Sequence, residues 1–378
     1  MSLYKNNILI DLTSLYNRRQ TGIEIFALDL TEHLIEEIYK SNKLDITVST
    51  VYRKKATLEK NSALIDEILI KSNSRILSEQ IFLPYLIRKS SPKLAIFPAF
   101  PPGYLTYNLK NKNTKIAVFI HDTVPWNFTK TLSWKAKIYL KPLYDLALKK
   151  ADYILTVSKT VKSELEEIFD IKNIFFIGET ISHIYKKENI LKTHTNILDK
   201  LSLNPKDYIL SVSTLEPRKN LFYLIDVYKK MLKKGLEKKL VLVGRKGWDK
   251  NINQLINNEI SDKNIVFTDY ITNEDLITLY KNCSAFVLLS IYEGFGRPPL
   301  EALACGSKVI VSDIPIFREN LGDHAYYLPL NNSEEAAELA FRYINYEEKV
   351  KLPNYDIYEY LTLNFKQNLN NFLRNFYD

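Results

Sequence analysis

Hydrophobic residues in this chain recur in short continuous runs, and amphipathic stretches with helical spacing lie between them. Apolar runs lie within the strings NNILIDLTSLY, LDITVSTVY and KLAIFPAFPP and at residues 116–120, and the strand pattern restarts with YILSVS near residue 208. Short unbroken apolar runs are typical of parallel strands that are buried on both faces. The alternation of strands and helices therefore predicts an α/β chain with two doubly wound, Rossmann-like domains facing a central cleft.

A polar, irregular stretch at about residues 183–206 separates the two series of runs and is predicted to be a linker. The predicted N-terminal domain covers residues 1–185, and the predicted C-terminal domain covers residues 205–355. Residues 356–378 are predicted to form a C-terminal helix that returns to the N-terminal domain.

The most informative stretch, residues 284–320, reads as a β-loop-α-β unit. An apolar run at 285–289 leads into a turn that contains Gly294 and Gly296, and Pro298 and Pro299 then begin a short helix. Proline is favoured in the first turn of a helix, where its missing N–H costs nothing. The amino terminus of this helix points into the loop and is expected to attract an anion.

Two carboxylates in this unit, Glu293 and Glu301, have the spacing E-x7-E. Glu301 lies one turn into the helix, near its positive end, and is expected to stay ionised and to accept hydrogen bonds from a ribose diol. The alternative is a glutamate in the first turn that caps the helix, together with an exposed glutamate in the loop. Spacing alone leaves both interpretations open.

Arg218 and Lys219 lie in the loop TLEPRKN, between a predicted strand and the helix that follows it. Two cations beside the N–H groups of a helix start form an anion site. A solvated turn is the alternative. No D-x-D, H-E-x-x-H or Walker string suggests a metal or ATP, so no metal is expected.

Two positions in the N-terminal half are further candidates. His121 follows the apolar run at 116–120, at the carboxyl end of a predicted strand, where ligands gather in open α/β sheets. A structural histidine is the alternative at such a position. Gly22 lies where a polar loop meets a predicted helix, and it either lets the backbone approach a phosphate or simply makes a turn.

The net charge of +8 is concentrated in the first half of the chain. Residues 1–180 hold 26 Lys and Arg against 19 Asp and Glu, a balance of +7. Such a balance suits an anionic membrane surface or a phosphorylated acceptor, although a solvated surface without a partner is the alternative. No RNP, helix-turn-helix or zinc spacing accompanies the charge, so nucleic acid is not expected as a partner.

No signal peptide and no apolar run long enough to span a bilayer is evident, and the two cysteines are not in a C-x-x-C spacing. These features predict a cytoplasmic protein with reduced cysteines. A peripheral position on the inner face of the cytoplasmic membrane is a further hypothesis, because basic and apolar residues mix in the first half.

The string EGFGRPPLEALACG followed by VIVSD resembles the signature of retaining glycosyltransferases of family 4 (GT4), which have the GT-B fold. The strings EPRKN, HDTVP and TGIEIFALDL are similar to further segments of that family, so the resemblance covers nearly the whole chain. It implies that Glu301 binds the ribose of a nucleotide sugar. It also implies that Glu293, Phe295, Gly296 and Arg297 line the donor sugar.

The same resemblance implies that Arg218 and Lys219 bind the diphosphate and that His121 faces the donor sugar from the other domain. Gly22 would lie beside the diphosphate, and Tyr270 and Ile271 would frame the base through their backbone atoms. The implied catalytic residues are thus His121, Glu293, Arg218 and Lys219.

The resemblance implies a metal-independent, retaining hexosyltransferase of bacterial surface polysaccharide synthesis, such as that of lipopolysaccharide or capsule. Its donor would be GDP-mannose, with a UDP-sugar as the second choice. Its acceptor would be a saccharide or a lipid-linked saccharide. No cofactor is expected. The alternatives are a catalytically silent partner that binds a sugar nucleotide and a GT-B epimerase or phosphorylase. Transfer or hydrolysis of GDP- and UDP-sugars distinguishes these functions.

Overall fold

The computed structural model describes residues 7–15, 21–40, 46–53, 65–72, 74–129, 132–245, 250–259, 263–346 and 352–377. The chain divides into two compact units. Unit 1 comprises residues 1–180 and 362–378, and unit 2 comprises residues 181–361.

Unit 1 contains a sheet of seven parallel strands in the order β3-β2-β1-β4-β5-β6-β7. The strands are β1 Asn7–Asp11, β2 Thr47–Tyr52, β3 Ile65–Leu69, β4 Leu94–Phe97, β5 Lys115–Ile120, β6 Tyr153–Thr156 and β7 Ile174–Phe176. The strand order reverses between β1 and β4, and Leu9 pairs with Ser49 of β2 on one side and with Ala95 of β4 on the other.

The helices of unit 1 lie between these strands. They are α1 Gly22–Lys40, α2 Arg75–Leu77, α3 Leu83–Ser90, α4 Tyr104–Leu109, α5 Val124–Asn127, α6 Lys141–Lys150 and α7 Lys159–Ile168. One turn of π-helix precedes α3, at Ser78–Phe82, and another precedes α6, at Ala136–Leu140. Ser158 caps α7 by accepting a hydrogen bond from the N–H of Val161.

The central strands of unit 1 are apolar on both faces because helices cover both sides of a parallel sheet. Leu9, Phe97, Val118 and Ile120 are fully buried in one cluster with residues of the surrounding helices. The edge strand β3 has the sequence IDEIL, in which polar and apolar residues mix. The apolar pattern of the sequence therefore does not identify β3 as a strand.

Unit 2 contains a sheet of six parallel strands in the order β10-β9-β8-β11-β12-β13. The strands are β8 Tyr208–Val212, β9 Lys239–Val243, β10 Ile265–Thr268, β11 Ala285–Leu288, β12 Val309–Ser312 and β13 Tyr326–Leu328. Counted within the unit, this is the order 3-2-1-4-5-6 of the dinucleotide-binding fold, and it reverses between β8 and β11.

The helices of unit 2 follow the same alternation. They are α8 Lys187–Lys192, α9 Ile197–Lys200, α10 Leu221–Lys233, α11 Lys250–Glu259, α12 Asn273–Asn282, α13 Arg297–Ala304, α14 Pro315–Leu321 and α15 Ser333–Asn345, and the last helix, α16 Ile357–Tyr377, begins in unit 2 and continues in unit 1. The two sheets of parallel strands with interleaved helices confirm the predicted fold class. No helix among the residues that the structure describes has the length and apolar character needed to cross a membrane.

Two segments near the unit boundaries have definite structure. The stretch expected to be a linker contains α8, α9 and a 3₁₀ turn at His183–Tyr185, and Tyr185, Ile190 and Ile197 are buried in unit 2. Helix α16 belongs to unit 1 from Thr362 onward, where Lys366 forms an ion pair with Glu36 of α1 at 3.0 Å.

Candidate active site

Two loops of unit 2 leave neighbouring strands at the place where the strand order reverses. One follows β8 and carries Arg218 and Lys219 in a 3₁₀ turn, and the other follows β11 and carries Glu293. Ligands of open α/β sheets bind outside the carboxyl ends of the strands at such a reversal. The N–H of Ile291 donates to the carbonyl of Arg218 at 2.9 Å, which joins the two loops. The structure therefore brings the two predicted motifs together.

The backbone of the first loop places both cations. Pro217 begins the 3₁₀ turn, and Asn220 ends it in the left-handed conformation with a φ of 57°. Asparagine is one of the few residues other than glycine that adopts this conformation readily. Helix α10 begins at the next residue, so Lys219 lies buried at its start.

Glu293 is buried and accepts four hydrogen bonds. Lys219 Nζ lies 2.6 Å from Glu293 Oε1 and 2.8 Å from Oε2, and Arg218 Nη1 lies 2.8 Å from Oε2. Ser290 Oγ donates to Oε1 at 2.7 Å. Each carboxylate oxygen thus has two donors, and an ionised carboxylate offers about four acceptor positions in all. In this arrangement the carboxylate of Glu293 is saturated, and it holds the two cations in place.

The charges of this cluster determine how Glu293 titrates. Burial alone raises the pKa of a carboxyl group, but the charges of Lys219 and Arg218 and the hydrogen bonds outweigh it and lower the pKa of Glu293 to about 2. Burial and the neighbouring charge of Arg218 lower the pKa of Lys219, against the opposing charge of Glu293. Arg218 Nη2 also pairs with Glu216 Oε1 at 2.7 Å. Glu293 is therefore ionised at neutral pH.

Glu301 lies on helix α13, and its carboxylate is bound differently from that of Glu293. Its Oε2 accepts hydrogen bonds from the hydroxyls of Tyr185 at 3.1 Å and Tyr280 at 3.2 Å. Its Oε1 lies 3.7 Å from Arg297 Nε, a distance of an ion pair rather than of a hydrogen bond. Burial raises the pKa of Glu301, while Arg297 and the two hydroxyls oppose this effect. Oε1 therefore keeps capacity to accept hydrogen bonds.

The loop before α13 requires glycine at position 296. Gly296 has a φ of 84°, and a Cβ built there would lie 2.7 Å from the ring of Phe317. The side chain of Phe295 is buried, and its carbonyl accepts from Asn320 Nδ2 at 2.6 Å. The contacts of Phe295, Gly296 and Arg297 with a donor sugar remain a prediction.

The structure does not place Tyr270 and Ile271 in the cluster around Glu293. They follow β10, which is the edge strand and is separated from β8 by β9. Two inter-strand spacings put β10 roughly 10 Å from β8. The side chain of Tyr270 is 45% exposed. A contact of their backbone with the base remains a prediction.

His121 lies at the carboxyl end of β5 in unit 1 and is buried. Its Nε2 lies 2.7 Å from the carbonyl oxygen of Pro98 and must therefore donate, which leaves Nδ1 as an acceptor. The ring packs edge-on against Phe26 at a centroid distance of 4.9 Å. Burial lowers the pKa of His121 to about 4, so the imidazole is neutral at physiological pH.

Gly22 is the first residue of helix α1. The carboxylate of Glu24 accepts from the N–H of Thr21 at 2.7 Å and from its hydroxyl at 3.0 Å. This is one half of a capping box, and it gives Glu24 a structural role at the start of α1. The contact of Gly22 with a diphosphate remains a prediction.

Sequence reasoning missed three residues of the candidate site. Ser290 lies three positions before Glu293, and that proximity was a usable signal. Tyr185 and Tyr280 approach Glu301 from 116 and 21 positions away, and no pattern in the sequence indicates this contact. Among the described residues, no group of three or more His, Cys, Asp or Glu side chains is arranged to hold a metal ion.

The fold of this chain is similar to that of solved glycosyltransferases. The GT-B glycosyltransferases have two units of this architecture, and HepE of Anabaena, solved in complex with UDP and glucose, matches the fold with a TM-score of 0.70. The match covers 98% of this chain and all of that chain at 15% sequence identity. At this identity the match shows the fold, which is that of the GT-B glycosyltransferases.

The chain belongs to glycosyltransferase family 4. The profile of Glycosyltransferase Family 4 matches residues 21–178, and that of Glycosyl transferases group 1 matches residues 194–356. The O-antigen chain mannosyltransferase RfbU of Salmonella typhimurium is 28% identical over 65% of this chain and 72% of its own length. The serotype-specific mannosyltransferase WbdA of Escherichia coli is 33% identical over 46% of this chain, which corresponds to 22% of WbdA.

Proposed function

We propose that this chain transfers a mannosyl residue from GDP-mannose to a saccharide or lipid-linked saccharide acceptor during the synthesis of a bacterial surface polysaccharide. The observation that carries the proposal is the cluster of Arg218, Lys219 and Glu293 at the strand reversal of unit 2, with Glu301 on the adjoining helix. Relatives named as O-antigen mannosyltransferases favour mannose over other sugars.

The cluster suits the charge that develops when a sugar–phosphate bond breaks. Negative charge accumulates on the departing diphosphate, and Arg218 and Lys219 supply preorganised donors for it in a buried site. We assign to these two side chains the neutralisation that a metal ion supplies in other transferases. Glu293 orients both cations, and a sugar hydroxyl reaches its carboxylate by replacing one of the four hydrogen bonds that it accepts.

The stereochemical course that we propose is retention. His121 of unit 1 is neutral at physiological pH, and in unit 2 the acceptor positions of the Glu293 carboxylate are filled by cations and a hydroxyl. A saturated carboxylate is a poor nucleophile, so we favour attack of the acceptor on the same face as the leaving phosphate. That phosphate then takes the proton of the acceptor hydroxyl.

The activity is tested by incubating the protein with GDP-mannose, UDP-glucose and UDP-N-acetylglucosamine and a lipid-linked saccharide acceptor, with product analysis by mass spectrometry. We expect transfer of a mannosyl group and an α-anomeric product from the α-configured donor, established by NMR. Transfer from a UDP-sugar alone refutes mannose as the donor sugar. Tight nucleotide binding without turnover on any acceptor supports the silent partner instead.

The role of Glu301 has its own test. Glu301→Ala is expected to weaken GDP binding by at least about tenfold, measured by calorimetry, because hydrogen bonds to a charged acceptor contribute roughly 1.5–3 kcal/mol. Glu334→Ala, an exposed glutamate on α15, is the control and should leave the affinity unchanged. Unchanged affinity in Glu301→Ala removes the ribose contact from the proposal.

We further propose that unit 1 contacts an anionic membrane through an exposed apolar face. The face is formed by nine side chains of three segments: Ile76, Leu77, Ile81, Phe82 and Tyr85, then Tyr104 and Leu105, and then Trp134 and Ile138. Three of them, Tyr85, Trp134 and Ile138, are 62%, 67% and 70% exposed. Contiguous apolar surface of this kind marks an interaction site.

Hydrogen bonds show that the three segments adjoin. Gln80 Nε2 donates to the hydroxyl of Tyr139 at 3.1 Å, and Gln80 Oε1 accepts from the N–H of Tyr104 at 2.9 Å. The hydroxyl of Tyr139 in turn donates to Glu79 at 3.0 Å. The apolar side chains therefore belong to one region of unit 1.

Exposed cations accompany the apolar face: Arg88, Lys89, Lys135 and Lys137. Aromatic and aliphatic side chains among lysines and arginines are typical of a surface that lies in the headgroup region of an anionic bilayer. The acceptor of the proposed reaction, when it is lipid-linked, is presented at such a surface.

Sedimentation with phosphatidylglycerol and phosphatidylcholine vesicles tests the membrane contact. We expect binding to the anionic vesicles, and a loss of about tenfold or more in Trp134→Ser/Ile138→Ser, because each side chain buries apolar surface. Leu191→Ser, which changes an exposed leucine of unit 2, is the control. A wild-type protein that stays in the supernatant with anionic vesicles refutes this contact.

A further inference from the structure

Two buried tyrosines surround one oxygen of Glu301. Tyr280 lies on α12 and is fully buried, and Tyr185 lies in the 3₁₀ turn that precedes α8 and is also buried. Both hydroxyls donate to the same atom, Glu301 Oε2, at 3.2 and 3.1 Å. Because both hydroxyls hold this one oxygen, the Glu301 carboxylate cannot rotate freely.

The tyrosines remain donors under all ordinary conditions. Burial and the charge of Glu301 raise the pKa of both phenols well above 10, so each carries its proton at physiological pH. Two permanent donors on Oε2 occupy its two lone pairs. Oε1 then remains for a ligand, and Arg297 Nε lies 3.7 Å from it.

We infer that Tyr185 and Tyr280 are positioning residues for nucleotide recognition, which fix the Glu301 carboxylate so that Oε1 accepts hydrogen bonds from the ribose diol. The inference rests on the ribose role proposed for Glu301. It assigns to two residues outside the E-x7-E motif part of the discrimination between ribose and other sugars.

A fixed and ionised carboxylate has a consequence for the pH dependence of binding. The ionised form accepts hydrogen bonds from both ribose hydroxyls. The affinity for the nucleotide is therefore highest above the pKa of Glu301 and falls as the pH drops through this pKa. Burial already raises this pKa, and the two hydroxyls counteract burial. Removal of either hydroxyl should therefore move the loss of affinity to higher pH.

The test compares GDP with 2′-deoxy-GDP as probes, by calorimetry between pH 5.5 and 8.0. The variants are Tyr185→Phe, Tyr280→Phe and the double variant, and Tyr228→Phe is the matched control. Tyr228 is a buried tyrosine of the same unit whose single hydroxyl proton lies between two backbone carbonyl oxygens, those of Lys238 at 2.9 Å and Asn264 at 3.0 Å.

The wild-type protein is expected to prefer GDP over the deoxynucleotide by about tenfold, the contribution of a hydrogen bond to a charged acceptor. In the tyrosine variants this preference should largely disappear, and the pH at which half of the affinity is lost should rise. Tyr228→Phe should keep both properties. A purely structural role for the tyrosines predicts weaker binding of both nucleotides by the same factor, and that outcome overturns the inference.

The failure of the proposed function is recognised separately. If Glu301→Gln keeps the preference for GDP, then Glu301 does not bind ribose and the proposed function is wrong at this point. If Glu301→Gln loses the preference and the tyrosine variants keep it together with the wild-type pH dependence, then the inference about the tyrosines alone is wrong.

Discussion

The buried cluster around Glu293 leads to a quantitative prediction for Glu293→Gln. The substitution keeps the shape of the side chain but removes its charge, so that Lys219 and Arg218 lose their shared counter-ion. In the folded chain the pKa of Glu293 is lowered from 4.5 to about 2. Each pKa unit corresponds to about 1.36 kcal/mol, so the ionised carboxylate stabilises unit 2 by about 3 kcal/mol at pH 7.

The sign of the pH dependence follows from the direction of the shift. A carboxyl group with a lowered folded-state pKa contributes its full stability above pH 4.5 and loses it as the pH falls towards 2. At pH 3 about half of the contribution, roughly 1.5 kcal/mol, should remain. The difference in unfolding free energy between wild type and Glu293→Gln should therefore shrink by about half between pH 7 and pH 3.

Hydrogen exchange detected by mass spectrometry across a urea series measures this difference. The method follows peptides from β8 and β11 separately from those of unit 1, which matters for a chain with two compact units. The control is Glu334→Gln, an exposed glutamate that lies 3.4 Å from Lys234. Exposed ion pairs contribute about 0–1 kcal/mol, so the control should stay close to wild type at both pH values.

Two results would refute the reasoning. If Glu293→Gln is as stable as wild type at pH 7, the cations do not stabilise the carboxylate as the distances indicate. If the destabilisation is the same at pH 3 and pH 7, it arises from packing and not from the charge of Glu293.

Three further predictions concern individual side chains. Lys219→Ala should lower the rate constant of transfer by about 100-fold, because it removes one preorganised donor. The variant should still bind the nucleotide, since Glu301 keeps its contact with the ribose. A wild-type rate contradicts the role of Lys219. His121 is neutral in the fold, and its pKa is lowered to about 4. The free energy of unfolding of unit 1 should therefore fall by about 3 kcal/mol as the pH drops from 6.5 to 4. In urea titrations, His121→Asn should abolish this pH dependence. Gly296→Ala should destabilise unit 2 by about 1–3 kcal/mol in the same assay, because alanine at a φ of 84° is strained and its Cβ meets Phe317; unchanged stability contradicts that assignment.

The class of fold was predictable because apolar runs and glycine-containing turns are local signals. The run at 285–289, the turn with Gly296 and the helix that follows all lie within one short segment. Strand β3 was not predictable in the same way, since its sequence IDEIL mixes polar and apolar residues at the edge of a sheet. Its pairing with β2 depends on a partner elsewhere in the chain.

The candidate site was predictable where one motif carries it and not where distant segments meet. Arg218, Lys219 and Glu293 were identified from their own loops, but no sequence pattern indicates that all three share hydrogen bonds. That contact depends on the reversal of strand order, which places the loop after β8 beside the loop after β11. The tyrosines on Glu301 come from distant segments for the same reason.

The cluster at the strand reversal has no net charge, although it contains two cations. Arg218 and Lys219 are balanced by Glu216 and Glu293, two positive against two negative groups. A neutral set of charges produces little field beyond the Debye length of about 8 Å at physiological ionic strength. An approaching diphosphate is therefore not drawn in from afar by this set, and we expect the rate of its capture to respond weakly to added salt. In the function that we propose, the diphosphate would therefore be recognised at contact range, by N–H donors of the two cations that Glu293 holds in place.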